Sequence, residues 1–241
     1  MGTKERRQRE FEDREKVFLD CARDLIRDEG LLNLQMSRIA EKSEYAVGTL
    51  YKHFASKEDL LLALAAVDTE KHVSMFQRAT QWKASPRDRM VAIAVADMIF
   101  VRRNPDFFRL GQYVFTEVVW KAASPERRQA MLAASDPIAD VVVGIVNDAV
   151  FAGELELRDM SAEEICTGLW ALSAGTHNLV HAEGVLEDFN VRDPYRLMCR
   201  HTQVMLNGYG WHPLVDVSDG AALDALIKRI CNEVFDDLCS E

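Results

Sequence analysis

Side chains that can hydrogen-bond to phosphate groups or base edges are concentrated in one short stretch of the sequence. Hydroxyl, amine and imidazole groups follow one another there: Thr49, Tyr51, Lys52, His53 and Lys57. Amines and hydroxyls near the start of a helix suit phosphate oxygens, and a lysine can donate to the edge of guanine. The sequence contains no nucleophile elbow, zinc-protease motif, phosphate loop or dinucleotide fingerprint. We therefore expect binding and not catalysis, with no catalytic residue and no cofactor.

The apolar residues around this stretch have the spacing of two short helices joined by a tight turn. Counting from Met36, a helix-turn-helix needs apolar residues at the fourth, tenth and fifteenth positions and a small residue at the fifth. The sequence supplies these as Ile39, Tyr45, Leu50 and the small Ala40. The spacing leaves a set of residues pointing largely outward: Val47, Gly48, Thr49, Tyr51, Lys52 and His53. Plain helical bundles show similar patterns, so the spacing alone does not identify a DNA-binding unit.

The charge of the chain is unevenly distributed. The net charge is −10 over 241 residues. Residues 1–60 hold 12 basic and 13 acidic side chains, whereas residues 61–241 hold 17 and 26. Because acidic surfaces are repelled by phosphate, we expect any DNA-binding surface in the first part. The sequence places a basic arm before the first helix, formed by Lys4, Arg6, Arg7 and Arg9. This arm either contacts DNA, at phosphates or in the minor groove, or is a solvated tail.

Signals for the ends of helices recur along the chain. Apolar residues have helical spacing from Phe11 to Glu29, and Gly30 follows as a C-cap. A capping residue repeatedly precedes a proline at the first helical position: Ser85-Pro86, Asn104-Pro105, Ser124-Pro125, Asp136-Pro137 and Asp193-Pro194. Since no segment alternates with the period of a strand, the sequence predicts an all-α fold of about ten helices.

The sequence also predicts bounds for two later helices and leaves two alternatives open for a third. The helix that starts at Asn104 is expected to run to about Ala122, and the last helix from about Gly220 to Leu238. Asp136-Pro137 either kinks the preceding helix or starts a new one.

One segment resembles the DNA-binding domain of the TetR (tetracycline repressor) family of transcriptional regulators. The resemblance is carried by Arg38-Ile39-Ala40-Glu41, Gly48-Thr49-Leu50-Tyr51-Lys52-His53-Phe54 and Ser56-Lys57-Glu58-Asp59-Leu60. It implies a three-helix helix-turn-helix domain with the basic arm over residues 1–56. It further implies a larger helical domain for ligand binding and dimerisation over residues 57–241.

The resemblance also implies which residues contact DNA. Thr49, Tyr51 and His53 match positions that contact phosphates, and Lys57 matches a lysine that meets the DNA backbone at the start of the fourth helix.

Base reading is assigned to the side of the second helix that faces the groove. Val47, Gly48 and Lys52 lie on that side. A valine there can touch a thymine methyl, and a lysine can donate a hydrogen bond to guanine. Gln35 and Arg38, on the preceding helix, complete the predicted DNA-binding set.

The turn between the two helices departs from the family pattern. Ser43-Glu44-Tyr45-Ala46 stands where Ala-Gly-Val-Ser is usual. The glycine position takes a left-handed backbone, so Glu44 is expected to cost about 1 kcal/mol or somewhat more. Ala46 removes a serine N-cap, a loss of about 1 kcal/mol.

The second part of the chain is rich in aromatic residues and methionines, which are usually core residues but as a group suit an apolar cavity. We expect the cavity to take a small apolar or amphipathic effector, with neutral or weak charge. The predicted contacts are Met75, Phe76, Phe108, Tyr113, Trp120 and Trp170.

A homodimer is implied by the resemblance, which places the interface on the late helices. Small residues among large apolar ones allow close approach of two copies across a two-fold axis. The predicted interface consists of Ile165, Gly168, Leu169, Leu172, Gly175, Thr176, Leu179, Leu197, Met198, Val204 and Met205.

The cysteines and histidines add little to the predicted function. The five cysteines are odd in number and contain no C-x-x-C pair, which favours a reducing cytoplasm and idle thiols over a redox sensor. His177 and His181 are four residues apart and could bind a metal, but the sequence places no third ligand, so no metal is predicted. No stretch of membrane-spanning length is expected.

The predicted function is a ligand-responsive transcriptional regulator that binds double-stranded DNA at an inverted repeat, most simply as a repressor. An activator or a ligand-independent global regulator of the same fold is the alternative. A helical enzyme or binding protein without a DNA role is the third reading, and the segment 48–60 argues against it.

Overall fold

The structure, a computed structural model, describes residues 3–239, and side chains from residue 4 onward. Residues 1–2 and 240–241, at the outer ends of the two predicted domains, lie outside the described residues. Within residues 3–239 there are α-helices, one 3-10 helix at Leu31–Asn33 and no strand, which confirms the all-α prediction. The α-helices are α1 Thr3–Glu29, α2 Met36–Lys42, α3 Val47–Leu50, α4 Lys57–Gln81, α5 Pro86–Arg103, α6 Pro105–Val114, α7 Glu117–Ala122, α8 Pro125–Phe151, α9 Ala162–His181, α10 Val185–Asp188, α11 Pro194–Gly208 and α12 Gly220–Val234.

The chain packs into two compact units, and each unit takes two segments of the sequence. The first unit contains Met1–Glu70 and Asn104–Ser135, and the second contains Lys71–Arg103 and Asp136–Glu241. Helices α4 and α8 therefore contribute residues to both units. The predicted boundary at residue 57 coincides with the start of α4, but a division of function there stays a prediction.

The core of the first unit is built from the apolar faces of its short helices. Phe18 of α1, Ile39 of α2, Leu50 of α3 and Leu60 of α4 are completely buried. Ala40 is 1% exposed, and α2 packs against α3, so a small residue lies where these helices approach. Residues of α6, α7 and α8 complete the same core: Leu110, Val114, Val119 and Met131.

Serine side chains cap the starts of several helices, as predicted for Ser85, whereas Asn104 makes no side-chain cap at the start of α6. The Ser56 hydroxyl accepts from the Asp59 amide at 3.0 Å, and Ser85 accepts from the Asp88 amide at 3.1 Å. Ser161 and Glu164 form the reciprocal hydrogen bonds of a capping box at the start of α9. These caps satisfy amides that have no partner inside the helix.

Helix α1 begins earlier than its apolar pattern indicated. The prediction of a basic arm before the helix is wrong, because Lys4, Arg6, Arg7 and Arg9 lie on exposed turns of α1 itself. Polar contacts at helical spacing support these turns: Arg6 is 3.3 Å from Glu10, and Gln8 donates to Glu12 at 2.9 Å.

Two further helix bounds differ from expectation, and one short helix is additional. The single helix expected from Asn104 to Ala122 is broken at Thr116, whose hydroxyl and amide both donate to the Tyr113 carbonyl. This local bonding competes with the helical ladder and ends α6. The short α10 was not predicted, and α12 ends at Val234 instead of Leu238. At Pro137, helix α8 continues.

Helix α5 is the most buried helix of the second unit, and it carries two charged side chains into the interior. Arg87 is 1% exposed and donates to acceptors on Gln203, Asn207 and Trp211. Its partners are carbonyl and amide oxygens, and burial lowers the pKa of Arg87 to about 10.

The second buried charge on α5 is a carboxylate between two imidazoles. Oδ1 of Asp97 is 3.0 Å from Nε2 of His72 on α4, and Oδ2 is 2.8 Å from Nε2 of His177 on α9. The Ser173 hydroxyl also donates to Oδ2. Burial alone would raise the pKa of Asp97, but the hydrogen bonds and charges of the two histidines outweigh it and hold this pKa well below the usual range.

One helix contradicts the expectation that no stretch has membrane-spanning length. Pro125–Phe151 is long and apolar enough by length and composition, with a mean hydropathy of 1.4 in its most apolar window. A core helix of a soluble protein can pass the same test, so the finding is weak evidence for a membrane.

Candidate nucleic-acid interface

Helices α2 and α3 form a helix-turn-helix. The chain turns between them at Glu44, whose φ of 59° is the left-handed backbone expected at this position. Beyond α3, the amides of Tyr51, His53 and Phe54 continue to donate to carbonyls three or four residues earlier. We call residues 47–54, which comprise α3 and the hydrogen-bonded turns that follow it, the reading helix.

The outward face of the reading helix carries most of the predicted DNA-binding residues. Val47, Gly48, Tyr51 and Lys52 are exposed and Thr49 is half-buried, whereas Leu50 is completely buried. The side chains that would meet a duplex are thus held by a core on the opposite side of the same helix.

Gly48 is exposed, and no other part of the chain approaches the position that its side chain would occupy. A β-carbon added there would meet no heavy atom within 4 Å. Glycine weakens a helix by about 1 kcal/mol relative to alanine. The fold itself therefore supplies no steric reason for a glycine at this position.

His53 does not point outward, and that part of the prediction is wrong. Its side chain is 1% exposed, and its ring stacks on Phe11 with centroids 3.8 Å apart. Nδ1 lies 3.6 Å from a carboxylate oxygen of Glu15. Burial lowers the pKa of His53, with Glu15 acting in the opposite direction, so the ring packs as part of the interior.

The two flanking cations have partners inside the chain. The Arg38 guanidinium donates to Glu29 at 2.8 Å while remaining half exposed. The Lys57 ammonium lies 3.4 Å from the Leu32 carbonyl. Their contacts with DNA stay predictions, and for Arg38 such a contact competes with an ion pair.

The missing cap predicted at Ala46 is confirmed, and α2 lacks a side-chain cap as well. Gln35 and Ala46 occupy the N-cap positions of α2 and α3, and neither helix has a side-chain cap. Tyr45 packs its ring edge on Phe18 at 5.2 Å, although it is 40% exposed.

The predicted effector contacts fall in both units. Met75 and Phe76 are buried in the second unit, while Phe108, Tyr113 and Trp120 are half-buried in the first. Trp170 is 64% exposed on α9, so its expected place in an interior cavity is wrong.

A groove in the second unit is lined by none of the predicted effector contacts. Its volume is about 390 Å³, and residues of α5, α11 and α12 line it together with 215–219. Its guanidinium groups are engaged, since Arg229 donates to Asp88 and Arg200 donates to the Val217 carbonyl.

The predicted dimer residues divide into buried and accessible ones. Ile165 and Met198 are each 1% exposed within a single chain, so the prediction that they face a partner is wrong. Gly168 is also used internally, because a β-carbon there would lie 2.7 Å from the Tyr209 hydroxyl. The remaining residues are half-buried or exposed: Leu169, Leu172, Gly175, Thr176, Leu179, Leu197, Val204 and Met205.

His177 and His181 do not point at a common site. His177 faces Asp97, and Nδ1 of His181 is 2.8 Å from the His177 carbonyl. Within residues 3–239 no group of three or more His, Cys, Asp or Glu side chains is arranged to hold a metal.

The sequence analysis missed two residues that hold the end of the reading helix. Arg127 of α8 donates to the His53 carbonyl at 3.0 Å and to Glu15 at 2.9 Å. These partners are 74 and 112 positions away in the sequence, so no local spacing indicated the contact.

Comparison with known proteins identifies the segment that contains this site. Residues 18–64 match the family model described as bacterial regulatory proteins, tetR family. The chain is 20% identical over 139 residues to the fatty acid metabolism regulator protein of Bacillus subtilis, covering 58% of this chain and 69% of that one. The repressor KstR of Mycolicibacterium smegmatis is 30% identical over a shorter stretch of 93 residues, covering 39% of this chain and 46% of that one.

Solved structures share the fold over most of the chain. A tetR-family regulatory protein from Rhodococcus RHA1 superposes with a TM-score of 0.61 at 18% identity, covering 84% of this chain and 98% of that one. The regulator FadR from Bacillus subtilis, in complex with stearoyl-CoA, gives a TM-score of 0.54 at 16% identity, covering 89% and 96%. The helix-turn-helix observed at residues 36–54 lies inside the matched segment, so residues 18–64 are similar to the bacterial regulatory proteins of the tetR family in both sequence and local fold.

Proposed function

We propose that this protein is a cytoplasmic, ligand-responsive repressor that binds an inverted repeat in double-stranded DNA as a homodimer. A dimer places two reading helices in successive major grooves, about 34–36 Å apart, which requires a repeated half-site. The single observation that carries the DNA-binding part is Gly48, exposed on the reading helix where the fold has no use for a glycine. A duplex lying against the helix at this point accounts for the small residue.

Gly48→Ala tests this placement because stability and binding should change in opposite directions. The variant should unfold at the same or a higher urea concentration, since alanine favours the helix by about 1 kcal/mol. Its affinity for DNA selected by the wild-type protein from random sequences should fall, because the methyl group meets the duplex. If the variant binds as tightly as wild type, the reading helix does not approach DNA at Gly48.

Lys52 and Lys57 should have different effects on sequence preference. Lys52→Ala should change the bases selected at one position of the half-site and cost about 1–3 kcal/mol there, because the amine donates to a base edge. Lys57→Ala should weaken binding to all sequences alike, as expected for a phosphate contact. Lys228→Ala, an exposed lysine on α12, is the control and should change neither property.

The dimer is supported by exposed apolar residues on α9 and α11. Leu179 and Val204 are 47% and 45% exposed in the single chain. Gly175, on the same face of α9 as Leu172 and Leu179, has no atom within 4 Å of an added β-carbon. Such a surface can be covered by a second copy related by a two-fold axis.

The proposed effector is a small amphipathic or apolar molecule. Two observations support an effector of this kind. Apolar and aromatic side chains are buried in the second unit, and the structurally similar FadR is in complex with stearoyl-CoA. Effector binding should lower DNA affinity only if the effector prefers one of two conformations. Screening acyl-CoAs and aromatic compounds for thermal stabilisation, followed by DNA titration with each hit, tests this. A hit that stabilises the protein but leaves DNA affinity unchanged would argue for the ligand-independent alternative.

A further inference from the structure

The first turn of α8 makes a polar contact with the end of the reading helix, inside the first unit. Nη2 of Arg127 donates to the His53 carbonyl at 3.0 Å and to Oε1 of Glu15 at 2.9 Å. The guanidinium carbon also lies 5.0 Å from the ring centroid of Phe54. One side chain thus contacts α1 and the last two residues of the reading helix.

The surroundings of this side chain leave it little freedom. The Arg127 and Glu15 side chains are 24% and 21% exposed. The Arg127 amide donates to the capping hydroxyl of Ser124 at 3.3 Å, and the Ser124 amide donates to Asp59 of α4 at 2.7 Å. The start of α8 is therefore anchored to α4 while Arg127 reaches the reading helix.

The other oxygen of Glu15 completes the arrangement. It lies 3.6 Å from Nδ1 of His53, whose ring is stacked on Phe11. The carboxylate therefore lies between the Arg127 guanidinium and the His53 imidazole. We call Glu15, His53 and Arg127 the clasp.

We propose that Arg127 is a positioning residue: through the clasp it fixes the C-terminal end of the reading helix, so that DNA affinity depends on the start of α8. This inference rests on the proposed DNA-binding function. Arg127 acts on DNA through His53 and Glu15 and does not itself contact phosphate. Because α8 is continuous from Pro125 to Phe151, the reading helix is joined to this long helix as well as to α4.

The salt dependence of binding separates this role from a direct phosphate contact. Each phosphate contact contributes a slope of about −0.9 to log affinity against log salt concentration. Arg127→Met keeps the aliphatic stem and removes all hydrogen bonds of the guanidinium. We expect it to lower the affinity for wild-type-selected DNA by about tenfold, the scale of one hydrogen bond to a charged group, with an unchanged salt slope.

Three further variants complete the experiment. Arg128→Met, a half-buried neighbour on the same turn, is the matched control and should bind like wild type. Arg127→Lys keeps a cation near Glu15 and should recover part of the affinity. The double variant Arg127→Met with Glu15→Gln should bind DNA only slightly more weakly than Arg127→Met alone, because the two side chains act together. All affinities are measured below the urea or thermal transition of each variant, so that unfolding does not contribute.

Each result has a definite reading. Wild-type affinity in Arg127→Met, or the same loss in Arg128→Met, overturns the proposal. A salt slope that becomes shallower by about one also overturns it, because Arg127 would then be a phosphate contact. If the wild-type protein selects no DNA, the proposed function fails and the clasp fails with it. If wild type binds and Arg127→Met binds equally well, only the clasp fails.

Discussion

Glu44 is a residue at which local backbone geometry and amino-acid type conflict. Its φ of 59° lies in the left-handed region, which costs a non-glycine residue about 1–2 kcal/mol. Glu44→Gly should therefore raise the free energy of unfolding by up to about 1 kcal/mol, after the entropy that glycine adds to the unfolded chain. Urea denaturation measures the difference.

Glu41→Gly is the matched control for this substitution. Glu41 is exposed in α2, where the backbone is right-handed, so glycine should lower the free energy of unfolding by about 1 kcal/mol. Equal destabilisation by both substitutions would mean that the turn imposes no strain on Glu44.

For single residues, the sequence predicted correctly the features that depend on local backbone conformation, and it failed for a side chain whose orientation depends on tertiary packing. The left-handed turn at Glu44 and the missing cap at Ala46 were implied by the family's turn pattern, and both are local properties of the backbone. His53 was expected to face outward from its position in the helix, but Phe11 and Glu15 draw its ring inward. No pattern within the reading helix carries that information.

At the scale of elements, the Asp97 carboxylate joins α4, α5 and α9 inside the second unit. Asp97→Ala removes the shared partner of His72 and His177 in a buried site. Breaking a buried pair in this way typically costs about 3–5 kcal/mol, so we expect a loss of this size in urea denaturation at pH 7. Asp106→Ala, which removes an exposed pair with Arg109, should cost less than about 1 kcal/mol.

The pH dependence of the Asp97 contribution has a definite sign. Its pKa in the folded protein is lower than the ordinary value of 3.8. The ionised carboxylate therefore contributes stability above that ordinary pKa and loses it as pH falls through the folded value. The difference between wild type and Asp97→Ala should shrink as the pH falls below about 4. A difference that grows on acidification would contradict this assignment.

The helices show the same division between local and non-local causes. The caps at Ser56, Ser85 and Ser161 were predictable because a hydroxyl and an amide three residues apart determine them. The break at Thr116 was not, since threonine occurs both inside helices and at their ends. The additional turns of α1 before Phe11 have no apolar face, so the periodicity that defines a helix in sequence was absent there.

At the scale of the whole molecule, the testable property is the two-fold dimer. Leu179→Glu combined with Val204→Glu places two acidic side chains of each copy in the proposed interface. Both residues are exposed in the single chain, so folding should be unaffected. Since burying unpaired charges is costly, sedimentation at micromolar concentration should show a dimer for wild type and a monomer for the variant.

Val118→Glu is the control for the charge change. Val118 is 76% exposed on α7, outside the proposed interface, and its substitution should leave the dimer intact. A wild-type monomer at this concentration, or a dimer that tolerates both α9 and α11 charges, would contradict the proposed interface.

The sequence by itself determined the fold class, the helix-turn-helix and the resemblance of residues 18–64 to the tetR family, because these depend on short-range periodicity, caps and one dense motif. The tertiary structure decided which of the predicted residues can contact DNA, an effector or a second copy of the chain. It uses Gly168 for contact with Tyr209, buries Ile165 and Met198, leaves Trp170 exposed and turns His53 inward. It also brings Arg127 to the reading helix from 74 residues away. The physical reason is that burial and polar contacts depend on neighbours supplied by distant segments, whereas helix formation depends mainly on residues within one or two turns.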